Sequence, residues 1–278
     1  VEGREGLVSS CNTRVSQGMV VTTDTARVVA ARRTALELIL SEHELRCFSC
    51  AKNGACELQA LCREYGVEGS PFEAKPAEGS VCDSNPFLRF DPSLCIRCQR
   101  CVGACNNAAG NGVLTTGKRG TRIAIEAPFG PDWKSTRCES CGNCAMACPT
   151  GALTEKFRKD WRAWEVKKVL TTCPHCATGC QYYLLVKDGK IVGTEAADGP
   201  SNHGLLCVKG RFASFDFVQS EKRLKTPLVR NEKTGELEPA SWDEALDLVA
   251  WRMTELREKW GGKALAAFAC ARSANEDI

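Results

Sequence analysis

The sequence has no apolar run near the roughly 18 residues a membrane-spanning helix needs, so no transmembrane segment is expected. Aromatic residues make up only 7%, and there are just three histidines in 278 residues. The net charge is +3 and the basic residues are scattered, which gives no electrostatic footprint for nucleic acid. No secretory leader is visible, and the first residues read as the interior of a domain. That weakens a disulfide-rich secreted reading, because such frameworks belong mostly to short exported chains. What is present is 43% hydrophobic and 26% charged residues, the balance of a globular protein. Length alone suggests about two domains. The nineteen cysteines undercut that prior, since metal clusters organise units smaller than a hydrophobic core can.

Residues 1–21 predict a strand, a turn at Gln17-Gly18 and a second strand, with Cys11 in the first. Thr22-Thr23-Asp24 resembles a helix start, with hydroxyls able to cap free N–H groups, and Ala- and Leu-rich residues follow to about Ser41. Cysteines then dominate from His43 to Cys148. Residues 156–168 form a basic, aromatic linker. Tyr182 to Val192 alternates around Asp188-Gly189, a hairpin signal. Ser241 and Glu244 form a capping box, and Leu246, Val249, Met253, Leu256 and Trp260 make one apolar helical stripe that Gly261-Gly262 ends. Residues 264–271 predict a buried strand. The expected fold class is α+β: a string of small iron–sulphur domains leading into an incomplete α/β domain.

The cysteine spacings carry the chemistry. Cys95, Cys98, Cys101 and Cys105 follow C-x2-C-x2-C-x3-C, and Cys138, Cys141, Cys144 and Cys148 repeat it before Pro149. In this doubled pattern three thiolates converge on one cubane and the fourth, expected to start a helix leading away, ligates the other. The predicted sets are therefore Cys95, Cys98, Cys101 and Cys148, and Cys138, Cys141, Cys144 and Cys105. Eight thiolates so arranged suit two cubanes better than two tetrahedral zinc ions. Upstream, His43, Cys47, Cys50 and Cys56 are spaced H-x3-C-x2-C-x5-C. Three close cysteines lack a fourth ligand, which His43 supplies if the segment makes one helical turn. A neutral imidazole in place of a thiolate removes a negative charge and raises the cluster potential. Cys173, Cys176, Cys180 and Cys207 form a fourth set, which by spacing alone is also compatible with zinc. Cys62, Cys82 and Cys270 are left over and default to free buried cysteines.

The order of these motifs resembles the large catalytic subunit of cytoplasmic, NAD(P)-linked molybdenum or tungsten formate dehydrogenases, over the whole chain. Residues 1–23 resemble the end of that family's [2Fe–2S] domain, with Cys11 as its fourth ligand. His43–Cys56 with Glu57-Leu58-Gln59 resembles the His/Cys-ligated cluster shared with the large iron–sulphur subunit of respiratory complex I. Thr172-Cys173-Pro174-His175-Cys176 and Cys207-Val208-Lys209-Gly210-Arg211-Phe212 resemble the cluster domain that opens bis-molybdopterin enzymes. The resemblance implies domains at 1–30 ([2Fe–2S] end), 31–85 ([4Fe–4S] held by one histidine and three cysteines), 86–155 (double [4Fe–4S] ferredoxin), 171–225 (molybdopterin-oxidoreductase [4Fe–4S]) and 226–278 (start of a molybdopterin-binding α/β domain), with 156–170 as linker. It implies that Lys209 lies between the cubane and a pterin, where its charge would stabilise a reduced pair.

The family's metal-ligating cysteine or selenocysteine, the histidine after it and its substrate arginine fall beyond residue 278, so the chain alone is expected to be inactive. The implied cofactors are four [4Fe–4S] clusters, a [2Fe–2S] cluster and a Mo- or W-bis-molybdopterin guanine dinucleotide. The implied partners are a flavin/NAD(P)-binding diaphorase-type subunit and a small [2Fe–2S] subunit, with a hydrogenase or ferredoxin as further options, and the implied location is cytoplasmic. Two alternatives stand beside it. One is the large iron–sulphur subunit of a complex I-like NADH dehydrogenase, ranked lower because it is expected to lack the doubled run at 95–148 and a lysine at 209. The other is a non-catalytic electron-transfer adaptor in a hydrogenase-linked complex.

Overall fold

The computed structural model describes residues 1–76, 79–126, 132–156, 161–213 and 215–268. The first 25 residues form turns and extended chain, not the expected pair of strands. Their main tie is the Glu2 N–H to Val20 carbonyl bond of 3.0 Å. Helix α1 (Ala26–Ser41) starts one residue later than the Thr22-Thr23-Asp24 signal suggests. Its cap is Thr25, whose hydroxyl accepts from the Val28 N–H. Leu36 and Leu40, one turn apart on α1, pack with Leu58 of α2 (Glu57–Glu64) and with Val67. This small core holds the first cysteine group against α1.

The next unit is a pair of two-stranded sheets around two short helices. Strand β1 (Leu88–Phe90) pairs antiparallel with β4 (Leu153–Glu155), and β2 (Thr115–Gly117) with β3 (Ala124–Glu126). Helices α3 (Arg100–Gly103) and α4 (Asn143–Ala147) lie between them. Each carries the third cysteine of its run, Cys101 or Cys144, at its second residue. The fourth cysteines close or follow these helices and start none: Cys105 sits in a π-helical turn at Ala104–Ala108, and Cys148 caps α4. The core joins Leu88, Leu94, Val113, Leu114 and Leu153 with Cys101, Cys105, Cys144 and Cys148. Leu88 is fully enclosed, so truncation to alanine there costs about 2–5 kcal/mol.

The third unit is an antiparallel meander of β5 (Lys167–Thr172), β6 (Gln181–Lys187) and β7 (Lys190–Ala196). The hairpin falls where the sequence signals it: Asp188 and Gly189 take φ of 50° and 76°, the two left-handed positions of a type I′ turn. Helix α5 (Val208–Phe212) follows Cys207 and packs on β7. Its Phe212 leaves the unit to stack on Phe87, with ring centroids 4.7 Å apart. A short helix α6 (Asp216–Gln219) leads to the β8 (Leu228–Arg230) and β9 (Leu237–Pro239) hairpin.

Helix α7 (Trp242–Trp260) carries the expected capping box, with Ser241 accepting from the Glu244 N–H, and Gly261 ends it. Its apolar stripe is exposed at Leu246, Val249, Met253 and Trp260. The strand expected at 264–271 is absent over residues 265–268. Residues 269–271, with Cys270, lie outside the described residues. No described helix is long and apolar enough to cross a membrane.

Candidate metal centres

The two matching cysteine runs fold into matching loops. In the first, Arg97 and Gln99 take left-handed φ of 56° and 61°. In the second, Ser140 and Gly142, at the same offsets, take 54° and 76°. A non-glycine residue held there costs roughly 1–2 kcal/mol. Such strain persists only where the surroundings impose it. What the conformation gains is direction: the Arg97 N–H points at Cys95 Sγ, 3.4 Å away, and the Ser140 backbone makes the equivalent contact with Cys138.

The structure gathers the cysteines around two separate voids in the crossed arrangement. Cys95, Cys98, Cys101 and Cys148 line one small void, and Cys105, Cys138, Cys141 and Cys144 line another. Burial, reinforced by Cys148, Cys95 and Cys98, pushes the Cys101 thiol up to about 12. Burial raises Cys144 as well, with Cys141, Cys101 and Cys105 adding to the effect. A thiol so raised wants a cation, and cluster binding supplies one in exchange for its proton. The Val113 N–H donates to Cys105 Sγ at 3.4 Å, and Asn143 Nδ2 donates to Cys141 Sγ at 3.5 Å.

His43, Cys47, Cys50 and Cys56 line one cavity of about 290 Å³. His43 does not share a helical turn with Cys47. It lies just past the end of α1, held by its N–H to the Leu40 carbonyl, and Cys47 opens a separate 3-10 turn. The imidazole reaches the cavity all the same. Its Nδ1 is buried without a hydrogen-bond partner, and burial lowers its pKa, which keeps the ring neutral as a ligand must be. Cys62, a free cysteine as expected but half-buried, also lines this cavity; burial, then Cys56 and Cys47, raises its thiol. It sits one helical turn after Leu58, another lining residue, and that i, i+4 spacing is the signal the sequence offered. Cys82 is half-buried where it bridges to Phe90.

Cys173, Cys176, Cys180 and Cys207 are mutual electrostatic neighbours around the start of the meander. The Cys173 N–H donates to the Cys180 carbonyl at 2.8 Å. Burial pushes the Cys173 thiol up, and exposed Lys209 works against that shift. Cys11 is exposed and stands beside Ser9, its Sγ 3.0 Å from the hydroxyl. Among the described residues no three His, Cys, Asp or Glu side chains converge to hold a single metal ion. Four thiolates around a multi-iron cluster need not converge so tightly. The soft donors, the N–H groups aimed at sulphur and the orphaned imidazole nitrogen fit iron–sulphur clusters.

The groups are tied in series. Between the first and second, the Glu57 N–H donates to the Pro149 carbonyl at 2.9 Å, and within the paired-run unit Thr150 Oγ1 donates to the Leu94 carbonyl at 2.8 Å. Gly151 presses on Cys50 so closely that a Cβ there would lie 2.4 Å from its Sγ. From the linker, Arg162 donates to the Cys50 and Phe48 carbonyls at 2.7 and 2.9 Å. Between the third and fourth, fully buried Arg211 donates to the Cys141 carbonyl at 2.8 Å and pairs with Glu155 at 3.2 Å. No spacing rule pointed to Arg162 or Arg211, because each acts across a long sequence separation, nor to Asn143, which meets Cys141 two residues away and Arg211 across 68.

Comparison with known proteins gives four matches along the chain. Residues 32–71 match the NADH-ubiquinone oxidoreductase-G iron-sulfur binding region. Residues 85–154 match the ferredoxin-like domain of NADH-quinone oxidoreductase subunit 3. Residues 166–218 match the molybdopterin oxidoreductase Fe4S4 domain and 223–277 the molybdopterin oxidoreductase model. The chain is 32% identical, over all its length, to the NADPH-Fe(3+) oxidoreductase subunit alpha of Geobacter sulfurreducens, of which it covers 32%. It is 34% identical, over 94% of its length, to the second G-type subunit of the NADH-quinone oxidoreductase of Rhizobium meliloti, of which it covers 30%. It is 30% identical, over 96% of its length, to a Staphylococcus haemolyticus protein named "Putative formate dehydrogenase SH0748", of which it covers 31%. A crystal structure of an NAD+-reducing [NiFe]-hydrogenase in the H2-reduced state matches 54% of the chain and 64% of its own, at 32% identity and a TM-score of 0.50.

The chain thus spans about a third of the length of these curated relatives. What the matches establish is a class: an iron–sulphur region of the kind found in the G-type subunits of NADH-quinone oxidoreductases and in the molybdopterin oxidoreductases. They also correct one expectation. The doubled run lies within a match to a quinone-oxidoreductase ferredoxin-like domain, so it does not rank formate dehydrogenase above the complex I-like alternative.

Proposed function

We propose that this chain is the electron-transferring portion of a formate dehydrogenase or CO2 reductase subunit, carrying electrons between a Mo- or W-pterin site and a flavin-bearing, NAD(P)-reducing partner. The observation that carries the electron-transfer part is the series itself: four soft-donor groups along the chain, with hydrogen bonds joining the first to the second at Glu57–Pro149 and the third to the fourth at Arg211–Cys141. Bound [4Fe–4S] clusters supply one-electron carriers, and a bound pterin-metal site supplies two-electron substrate chemistry.

The chain's own residues supply the rest. Cys173, Cys176, Cys180 and Cys207 would hold the cluster on the pterin side. Lys209, whose charge already favours the Cys173 thiolate, would favour added negative charge there. The crossed sets at 95–148 would place two clusters side by side. His43, Cys47, Cys50 and Cys56 would hold the next, and Cys11 would contribute one ligand to a [2Fe–2S] centre. Formate oxidation would deliver two electrons and one proton per CO2. Potentials, not sequence order, set the direction of flow.

A second reading has its own support. The matches at 32–71 and 85–154, and the Rhizobium relative, favour a complex I-like NADH-quinone oxidoreductase subunit, in which the same residues carry electrons without substrate chemistry of their own.

Anaerobic reconstitution of the chain tests the electron-transfer claim. Four cubanes bring about sixteen irons and as many sulphides. Zinc in place of iron at all four groups overturns it. Formate-dependent reduction of NAD(P)+ by the longer protein, compared with NADH-dependent quinone reduction, decides between the two readings.

A further inference from the structure

Asn143 occupies a position that its counterpart in the first loop does not. Five residues after the first cysteine of each run stand Arg100 and Asn143. Arg100 faces solvent, and its Nη1 donates to both carboxylate oxygens of Glu57 at 2.7 Å. Asn143 is buried, only 6% exposed, and its carboxamide is fixed at both ends. The amide nitrogen lies 3.5 Å from Cys141 Sγ. The amide oxygen accepts from the Leu206 N–H at 3.1 Å and from an Arg211 Nη at 3.1 Å. The two donors at the oxygen settle the amide's orientation, because a flipped group would set N–H against N–H.

Arg211 is 1% exposed, its Nε donates to the Cys141 carbonyl, and its charge is balanced by Glu155. A continuous path of hydrogen bonds therefore runs from a thiol of the third group, through one carboxamide, to the residue before Cys207 in the fourth.

We infer that Asn143 and Arg211 form a polarised bridge that raises the potential of the cluster held by Cys138, Cys141, Cys144 and Cys105, and couples it to the cluster held through Cys207. The inference rests on the cubane reading of these two groups. The buried guanidinium draws electron density from the carboxamide oxygen and makes the Asn143 N–H a stronger donor to the Cys141 thiolate. Donors to cluster sulphurs stabilise the reduced, more anionic state. Both residues are positioning residues: Arg211 acts through Asn143, and Asn143 through Cys141.

The test is potentiometric titration of the reconstituted full chain, followed by electron paramagnetic resonance, with iron content measured in parallel. Asn143→Asp keeps the shape and the Arg211 contact but removes the nearer of two carboxamide donors to Cys141, leaving Asn111 Nδ2 at 3.8 Å. Asn143→Leu removes the donor without adding charge. Each should lower that cluster's midpoint by at least a tenfold change in its one-electron equilibrium, about 59 mV, while the His43 cluster stays in place. Arg211→Lys, which keeps the cation, should recover most of the shift that Arg211→Gln produces in the same direction. Unmoved potentials in both Asn143 variants with iron content intact overturn the inference alone. So does equal movement of all clusters. A wild-type chain that takes up no clusters overturns the cubane reading, and the inference falls with it.

Discussion

Gly142→Ala puts the docking of the third and fourth groups to a direct test. Gly142 has φ of 76°, and a Cβ there would lie 2.3 Å from Arg211 Cδ and 2.6 Å from its Nε. Two costs add. The left-handed conformation costs an alanine roughly 1–2 kcal/mol. Overpacking against a filled interior costs roughly 1–3 kcal/mol more. Arg211 cannot withdraw cheaply, because its Cys141, Asn143 and Glu155 contacts all depend on its position. The sum, about 2–5 kcal/mol, is a large share of a domain's net stability. With a urea slope of about 3 kcal/mol/M, the unfolding midpoint should fall by about 0.7–1.7 M. The assay follows loss of the clusters' visible absorption and of far-ultraviolet circular dichroism in the reconstituted chain. Gly103→Ala is the control: its φ is −60° and nothing lies within 4 Å of its Cβ, so it should be neutral or gain up to about 1 kcal/mol. A Gly142→Ala midpoint equal to wild type, with the control behaving, refutes the claim that Arg211 is locked against this loop.

Three other perturbations separate the groups. Gly151→Ala drives a Cβ to 2.4 Å from Cys50 Sγ, so iron analysis should show loss of about four of about sixteen irons, with the paired clusters retained. Cys98→Ala should do the reverse, disturbing the crossed pair while the His43 group still assembles, as read by the electron paramagnetic resonance signals that remain. In the cluster-free chain the Cys101 thiol is raised from 9.0 to about 12, so its neutral form is the folded one. That contribution is whole below pH 9 and is lost as pH rises toward 12. The thermal midpoint should hold to about pH 9 and fall above it, more steeply without clusters than with them, because loaded thiolates have already released their protons.

What was legible in the sequence was local. The doubled cysteine run predicts crossed sets, because two-residue gaps allow three ligands to gather and leave the fourth to reach elsewhere, and each predicted set lines one void. Asp188-Gly189 and the Ser241–Glu244 box fix a turn and a helix start within four residues each. The misses were of two kinds. Strands expected at 1–21 and 264–271 rested on apolar alternation, which needs a partner surface to become a strand. None of residues 1–25 or 265–268 forms one. The helix stripe at Leu246–Trp260 did form, since a capping box and propensity act within the helix, yet its face stays exposed. His43 lines its cavity from a turn just past the end of α1 and not from a helical turn shared with Cys47. Spacing identified the residue and misjudged the path.

The contacts between groups explain why the rest was illegible. Arg162 reaches back to Cys50 across 112 residues, and Arg211 to Cys141 across 70. In both cases a guanidinium from one unit satisfies a ligand-loop carbonyl of another. Such a carbonyl is left over wherever a loop spends its N–H groups on sulphur, because the chain cannot then close a regular ladder there. An arginine answers this need well: its planar fork binds several acceptors at fixed angles and keeps its charge when buried. The sequence shows each arginine only as one basic residue among 37 lysines and arginines. The packing makes it a joint between distant parts of the chain, closed on a carbonyl of a cysteine loop.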